Sequence, residues 1–104
     1  MKSKKEPFNL IGLALKGGNA ATGRDSVRAA VHRGKFVHLF LARDAGSAIR
    51  DEMNALSRVQ KIPMTELGSR DSLGKALGRR EVAIVAITDR GLADAINEAL
   101  RRQV

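Results

Sequence analysis

Two glycines in residues 17–26, G-G-N-A-A-T-G-R-D-S, have the spacing of a phosphate-binding loop. Four residues separate Gly18 from Gly23, as in G-x-x-x-x-G-K-[ST], where the lysine reaches the outer phosphates and the hydroxyl binds magnesium. Here Arg24 and Asp25 follow Gly23, so a carboxylate stands where the hydroxyl should be. The short segment before Gly23 is also a poor strand. Nucleotide hydrolysis is therefore not expected, and the stretch is interpreted as a glycine turn that opens a helix.

The residues that could catalyse a reaction or bind a metal are better explained by structural roles. The chain has no cysteine and two histidines, and no acid stands at a metal-ligand spacing from either histidine. His32 is predicted to be solvated and His38 to be a hydrogen-bonded residue of a buried strand. Asp44 and Asp89 follow predicted strands, where ligands bind parallel sheets, but capping of the next helix is favoured. We therefore expect no enzyme, cofactor or metal site.

The charge balance points to a polyanionic partner. Nineteen Lys and Arg against eleven Asp and Glu give a net charge of +8, and basic proteins gain affinity for nucleic acid by releasing counterions. With only three phenylalanines and no other aromatic residue, base stacking on exposed rings is not expected. The expected phosphate-binding residues are Arg24, Arg28, Arg79 and Arg80, with Lys16 and Lys35 peripheral and Gly23 and Gly78 in the turns beside them.

The hydrophobic pattern alternates between strands and helices along the whole chain. The predicted strands are 19–22, 36–42, 63–67 and 81–87. The predicted helices are 22–33, 45–60, 69–77 and 89–102, and segment 7–16 fits either a buried helix or a buried strand. The helix at 22–33 is expected to begin with a capping box, Thr22-x-x-Asp25. Residues 1–6 are predicted to form a basic, disordered tail and residues 7–104 a single α/β domain, with helices on both faces of a small, largely parallel sheet.

Three blocks of the sequence resemble the ribosomal kink-turn-binding protein family, and in particular its small bacterial YlxQ-type branch. They begin T-G-R-D-S-V-R-A-A-V-H-R-G-K, I-P-M-T-E-L-G-S-R-D-S-L-G-K and V-A-I-V-A-I-T-D-R-G. The resemblance runs from about residue 10 to residue 100. It implies a three-layer α/β/α sandwich with a small four-stranded mixed sheet.

The resemblance also implies RNA binding at the start of the second helix and at a loop before the last strand, here residues 77–82. RNA-binding members carry a glycine, an Asn-Glu pair and then a lysine three residues later. In this chain Gly23 matches the glycine, whereas Asp25, Ser26 and Ala29 take the Asn, Glu and Lys positions. Asp25-x-x-Arg28 copies the Glu-x-x-Lys spacing with a shift of one residue, which turns the pair about 100° around the helix.

The sequence thus leads to a cytoplasmic, non-enzymatic RNA-binding protein associated with ribosomes or translation. Gly23, Arg24, Asp25, Ser26 and Arg28 are expected to meet structured RNA, together with the second turn at Gly78, Arg79 and Arg80. We expect neither a membrane nor a small-molecule substrate, and a protein partner is left open. The alternative is a protein-interaction module that kept the fold and lost kink-turn recognition.

Overall fold

The computed structural model describes residues 5–34 and 36–102. Lys35 and residues 1–4 of the predicted tail lie outside the described residues. Helices and strands follow each other in the order α1 (Glu6–Lys16), β1 (Ala20–Thr22), α2 (Arg24–His32), β2 (His38–Leu41), α3 (Ser47–Gln60), β3 (Met64–Glu66), α4 (Arg70–Ala76), β4 (Ile84–Ile87) and α5 (Arg90–Arg101).

The sheet is mixed, as the family resemblance implies, and the largely parallel sheet expected from the alternation alone is wrong. Its strand order is β1-β4-β2-β3. β4 pairs antiparallel with both β1 and β2, and only β2 and β3 are parallel. The reason is the short helix α4: it stays near the carboxyl ends of β2 and β3, where the amide of Val82 donates to the carbonyl of Arg70 at 3.0 Å. The chain therefore enters β4 from that end.

Alternate side chains of the two central strands point into two separate cores. Phe40 packs with Ile11, Leu73 and Ile96 on the side of α1, α4 and α5. Its neighbours in β2, by contrast, pack with residues of α2 and α3. This period-two alternation in a strand covered on both faces confirms the three-layer α/β/α arrangement.

Segment 7–16 is a helix, one of the two predicted possibilities, and it is buried on one side only. Ile11 and Ala14 are fully buried, whereas Leu13 exposes 58% of its surface. The helix begins at Glu6, one residue inside the predicted tail, and the Arg102 Nη2 donates to both carboxylate oxygens of Glu6 at 3.0 Å. Glu6 therefore belongs to the packed domain. Among the residues that the structure describes, none of the helices is long and apolar enough to cross a bilayer.

Of the predicted helix caps, the one at Thr22 is wrong, the one at Asp44 serves another helix and the one at Asp89 is confirmed. The capping box at Thr22 is wrong: Thr22 is the last residue of β1, and Gly23 is the N-cap of α2 without any side-chain cap. Strand pairing to β4 takes precedence, because it satisfies backbone groups in the sheet. Asp89 caps α5, as expected, by accepting from the Leu92 amide at 2.9 Å. Ser69 caps α4 in a reciprocal pair with Ser72.

Asp44 does cap a helix, but not the next one in the chain. Its carboxylate accepts from the amide of Arg70, the first residue of α4, at 2.8 Å. That hydrogen bond is the main reason why the pKa of Asp44 is lowered. The Arg70 guanidinium lies near the carboxylates of both Asp44 and Glu81, at 3.6 and 3.8 Å. Asp44 and Asp89 thus have structural partners, which is the interpretation favoured over an active site.

Candidate nucleic-acid interface

The two glycines at phosphate-loop spacing flank a strand. Residues Ala20–Thr22 lie between them and pair with β4, Ala20 opposite Ile87 and Thr22 opposite Val85. A phosphate loop needs these residues free to wrap the anion with their backbone amides, and here the sheet uses them. Gly18 instead ends the turn after α1, and Gly23 begins α2. The interpretation of this stretch as a helix-opening glycine turn is therefore supported by its geometry.

Gly23 has a backbone conformation that only glycine adopts without strain. Its φ of 89° and ψ of 157° lie in a region that a Cβ would make costly. Its amide donates to the Ile84 carbonyl at 3.0 Å, and its carbonyl accepts from the Val27 amide at 2.9 Å. A Cβ built on Gly23 would meet no atom within 4 Å. The start of α2 is thus open to an approaching ligand, with the positive end of the helix dipole facing it.

A groove of about 440 Å³ runs between α2 and the turn that precedes β4. It joins the two places that the resemblance implies for RNA contact. Ser26 and Ala29 of α2 and Arg33, its C-cap, lie three and four residues apart and so share one face. From the turn comes Arg79. The groove is completed by Leu15, Ala20, Ala21, Thr22 and Ala30.

Arg24 and Arg28 lie on a different face of α2 and bind Glu52 of α3. The Nε of Arg24 donates to one carboxylate oxygen of Glu52, and the Nε of Arg28 donates to the other at 2.8 Å. Arg28 is also 3.4 Å from the carboxylate of Asp25. The two predicted phosphate-binding arginines therefore stand beside a carboxylate that offsets part of their charge.

Glu52 is held ionised by this pairing. Partial burial raises its pKa, but the hydrogen bonds from Arg28 and Arg24 and their positive charges outweigh that effect, so the pKa lies below its usual value. A carboxylate with a lowered pKa stabilises the folded state at neutral pH, and this contribution is lost as the pH falls through the folded-state pKa. At neutral pH the cluster has two guanidinium groups and a single shared carboxylate from α3.

The turn with Arg79 and Arg80 is held against α4 by a close backbone contact. A Cβ on Gly74 would lie 2.5 Å from the Arg80 carbonyl oxygen and 2.9 Å from that of Arg79. The amide of Arg79 donates to the Gly74 carbonyl at 2.7 Å. The turn can lie this close to α4 only because residue 74 has no side chain. Both arginine side chains are exposed.

The remaining predicted residues are more scattered. Asp25 and Arg80 are exposed beside the groove without lining it, whereas Ser26 and Arg79 line it. Lys16 and Gly78 line a second groove, between α1 and α4. The prediction named Ala29 only as the position of the family's lysine, and it did not include Arg33 as a site residue or Glu52 as the partner of two arginines. Helical spacing from Ser26 could have placed Arg33 on this face, whereas nothing in the sequence pairs α2 with Glu52.

His38 is a hydrogen-bonded structural residue, as expected. Its Nε2 lies 2.7 Å from the Thr65 hydroxyl, and its Nδ1 is 3.5 Å from the amide nitrogen of Asn97. The ring stacks on Phe40 at a centroid distance of 4.6 Å. Burial lowers the pKa of His38, and the charge of Asp94 opposes this only in part. Within the described ranges, no three His, Cys, Asp or Glu residues come together as a metal site would require.

The sequence profile of the ribosomal protein L7Ae/L30e/S12e/Gadd45 family matches residues 6–97, nearly the whole chain. The chain belongs to this family. Its most informative relatives are two bacterial members named RNA-binding protein YlxQ. The one from Bacillus subtilis (strain 168) is 29% identical over 94 residues, covering 90% of this chain and 94% of the relative. The one from Enterococcus faecium is 26% identical and covers 94% of each chain.

Two solved structures agree with the architecture. A Bacillus halodurans protein of unknown function has a TM-score of 0.85 at 26% identity, covering 94% of this chain and 99% of its own. A Giardia lamblia 15.5 kD RNA-binding protein has a TM-score of 0.73 at 21% identity, covering 93% and 83%. The second likeness is one of fold. The solved structures confirm the α/β/α class, and the two YlxQ relatives confirm the YlxQ-like branch expected from the sequence.

Proposed function

We propose that this L7Ae-family protein is a non-enzymatic RNA-binding protein whose binding site is the groove between α2 and the turn at residues 77–82. The observation that carries the proposal is the meeting of Ser26, Ala29, Arg33 and Arg79 around one groove. Ser26, Ala29 and Arg79 come from the two segments that the family resemblance singles out, and Arg33 joins them from the C-cap of α2, at the other end of that helix. The names of the two YlxQ relatives, which describe RNA-binding proteins, support the same ligand.

Each part of the groove has a role that its chemistry suits. Arg33 and Arg79 supply guanidinium groups from opposite walls, and such groups bind phosphate in a bidentate manner. Gly23 leaves the start of α2 bare, so a phosphate can approach the first backbone amides of the helix. Ser26 and Ala29 stand where a base edge would be contacted, and their short side chains reach less far than Glu and Lys.

Arg24, Arg28, Asp25 and Arg80 are assigned a supporting role, with Gly78, Lys16 and Lys35 at the periphery. Arg24 and Arg28 contribute charge from the side of α2, moderated by Glu52. The family's description, which names ribosomal proteins, favours structured RNA of the ribosome or of translation as the target. Such a role places the protein in the cytoplasm. Phosphate contacts position a protein on RNA and base contacts specify the sequence, so affinity for structured RNA should exceed discrimination among RNAs.

The test is RNA binding by fluorescence anisotropy, with a labelled kink-turn RNA and a plain RNA duplex as ligands. The wild type should bind both, and log affinity should fall against log salt with a slope of about −3 to −4 if roughly four phosphates are neutralised. Arg33→Gln with Arg79→Gln should weaken binding. It should also make the slope of log affinity against log salt shallower by about two, because about two fewer phosphates are neutralised. Removing the same two charges at Arg43 and Arg58, exposed residues away from the groove, is the matched control.

Equal losses in the two double variants would mean that net charge alone drives binding and would contradict this site. Absence of any salt-dependent binding by the wild type would favour the alternative, a protein-interaction module on the same fold. The pairing of Arg24 and Arg28 with Glu52 is the feature that favours this alternative, because it reduces the positive field on one side of α2.

A further inference from the structure

A second groove, of about 940 Å³, lies between α1 and α4. It follows one edge of α1 from Lys5 to Lys16, so it runs along the full helix, about 16 Å at the usual rise per residue. Its walls are mostly apolar, with Phe8, Leu15 and Leu77 among them. Leu13 lies on this edge with 58% of its surface exposed. An apolar surface of this length exposed to water is typical of an interaction site.

The rim of this groove is basic. Lys5 and Lys16 stand at its two ends, and Lys75 stands on the opposite wall. No carboxylate lines the groove in the part of the chain that the structure describes; the nearest one on α4, Asp71, is 3.2 Å from the Lys75 ammonium. The rim therefore has a net positive charge around an apolar floor. This arrangement complements a ligand with an apolar stripe flanked by acidic groups.

RNA is a poor occupant for such a floor. A phosphate or a base edge laid on Phe8, Leu13 and Leu77 would lose water without gaining a hydrogen bond, which costs free energy. An added β-strand is excluded by a different reason: both walls are helices whose backbone groups are bonded within the helix. A third helix laid between two helices buries the apolar surface and leaves its polar flanks at the rim.

We propose that the α1/α4 groove binds an acidic amphipathic helix of a partner protein, about three turns long. The apolar stripe of that helix packs on Leu13 and Phe8, and its carboxylates face Lys5, Lys16 and Lys75. Leu15 lines both grooves, so the partner helix lies next to the proposed RNA site and shares an edge with it. The protein would then hold an RNA and an acidic protein helix on adjoining faces.

The test uses three labelled synthetic peptides of about fourteen residues and the full chain. The first has leucines at helical spacing flanked by glutamates, the second is its scrambled sequence, and the third replaces the glutamates with lysines. The first peptide should bind at least about tenfold more tightly than the other two, because only it offers both the stripe and the charge. Leu13→Ser should weaken it at least about fivefold, because the peptide would bury only the 58% of Leu13 that is exposed, and burial of a whole leucine is worth about tenfold or more.

Val59→Ser is the matched control, because Val59 is an apolar residue with 70% exposure on α3. It should leave peptide affinity within about twofold, since a single exposed side chain outside the contact contributes little. Kink-turn RNA affinity should be unchanged in Leu13→Ser. The proposal is overturned if the scrambled or lysine peptide binds as well as the acidic one, or if both serine variants lose affinity equally.

Two further outcomes would overturn the proposal of an acidic partner helix, because each would show that the α1/α4 groove binds something else. If sedimentation shows a wild-type dimer that Leu13→Ser turns into a monomer, the groove binds a second copy of the chain. If Leu13→Ser weakens RNA and no peptide binds, the groove is an extension of the RNA site. The proposed RNA-binding function is judged separately, by the salt dependence of the wild type and the Arg33/Arg79 variant.

Discussion

The carboxylate of Glu52 reduces the positive charge that Arg24 and Arg28 of α2 can offer to a ligand. Glu52 contacts both Arg24 and Arg28, and its side chain is only 25% exposed. A carboxylate that holds two guanidinium groups competes directly with a phosphate for the same N–H donors. For the proposed RNA site we therefore expect affinity to depend partly on a residue of α3, outside both segments that the resemblance identifies.

Glu52→Gln should raise RNA affinity and lower stability. With the competing charge removed, Arg24 and Arg28 can neutralise phosphates, so the slope of log affinity against log salt should steepen by about one to two. The free energy of unfolding should fall by about 1 kcal/mol, the usual size for a charged hydrogen bond near the surface. Anisotropy and urea denaturation measure the two effects.

Glu66→Gln is the control for this change, since it removes the same charge from the Arg50–Glu66 pair at 2.6 Å. That pair lies on α3 and β3, away from the groove. If Glu66→Gln raises RNA affinity as much as Glu52→Gln does, the gain reflects net charge. Arg24 and Arg28 would then have no specific part in binding.

His38 should make the fold sensitive to mildly acidic pH. Because burial lowers its pKa in the folded state, the unfolded chain takes up a proton at higher pH than the folded one. The stability from neutral His38 is thus full above the unfolded pKa and is lost as the pH falls. Between about pH 7.5 and pH 5.5, a window around the usual histidine pKa, wild-type stability should fall, and in His38→Gln it should fall less.

Urea denaturation at several pH values measures this difference. His32→Gln is the control, because His32 is exposed at the end of α2. Its pH dependence should match that of the wild type. Parallel pH curves for wild type and His38→Gln would show that proton uptake in this range comes from another group.

At the scale of the secondary-structure elements, the position of the arginine turn depends on how closely it approaches α4. Gly74→Ala would place a methyl group 2.5 Å from the Arg80 carbonyl oxygen. The turn must then move or α4 must shift, at a cost of about 1–3 kcal/mol typical of overpacking. RNA affinity should fall as well, because Arg79 is displaced from the groove.

Gly46→Ala is the matched control for this change. Gly46 precedes α3 with a φ of −61°, and a Cβ there meets nothing within 4 Å. Its effect on stability should stay within the modest cost of changing an N-cap glycine, about 1 kcal/mol or less. RNA affinity should be unaffected. An unchanged Tm in Gly74→Ala would mean that the turn is loosely held.

The start of α2 allows a test of specificity by restoration. Asp25→Asn, Ser26→Glu and Ala29→Lys together restore the polar residues that the family resemblance implies. All three positions are exposed, whereas Val27, Ala30 and Val31 form the buried face, so the fold should tolerate them. Preference for a kink-turn over a duplex should rise at least about tenfold, if one contact gives the 1–3 kcal/mol seen for base edges in DNA.

The triple variant adds one net positive charge, so Gln60→Lys, an exposed change on α3, is its control. Gln60→Lys should raise affinity for both RNAs alike. If the triple variant folds and gains no preference, the assigned register at the start of α2 is wrong. A wild type that already prefers the kink-turn tenfold would show that Asp25 and Arg28 take over the recognition.

The helices and strands were largely predictable because local patterns encode them. Val27, Ala30 and Val31 form a buried stripe as expected, and the residues of β4 are all buried, as a continuous apolar run predicts. Local pattern carries no information on strand direction, however. The antiparallel direction of β4 depends on the end of the sheet at which the chain emerges from the seven-residue helix α4. Only the family resemblance therefore predicted the mixed sheet.

At the scale of the whole molecule, the candidate site was predictable by segment and not by side chain. The resemblance led to the start of α2 and the loop at 77–82, and the fold brings them to one groove. Which arginines face that groove depends on how α2 is rotated against α3. A sequence shows the spacing of Arg24 and Arg28 but not that Glu52 lies opposite them. It also does not show that Arg33 and Arg79 line the same groove, because that depends on how the two segments pack in the fold.

The contact between Glu6 and Arg102 joins residues 96 positions apart, and α1 packs on α5 along the same face. Bringing together two residues so far apart in the sequence costs loop-closure entropy, and contacts between residues close in the sequence do not offset that cost. During synthesis α1 is made before α5, and Ile11 and Ala14 are not fully covered until α5 has been made. Until then its apolar stripe is a surface that chaperones or other nascent chains can bind. The order of synthesis thus leaves α1 uncovered until α5 has been made, and this interval exposes its apolar stripe to aggregation.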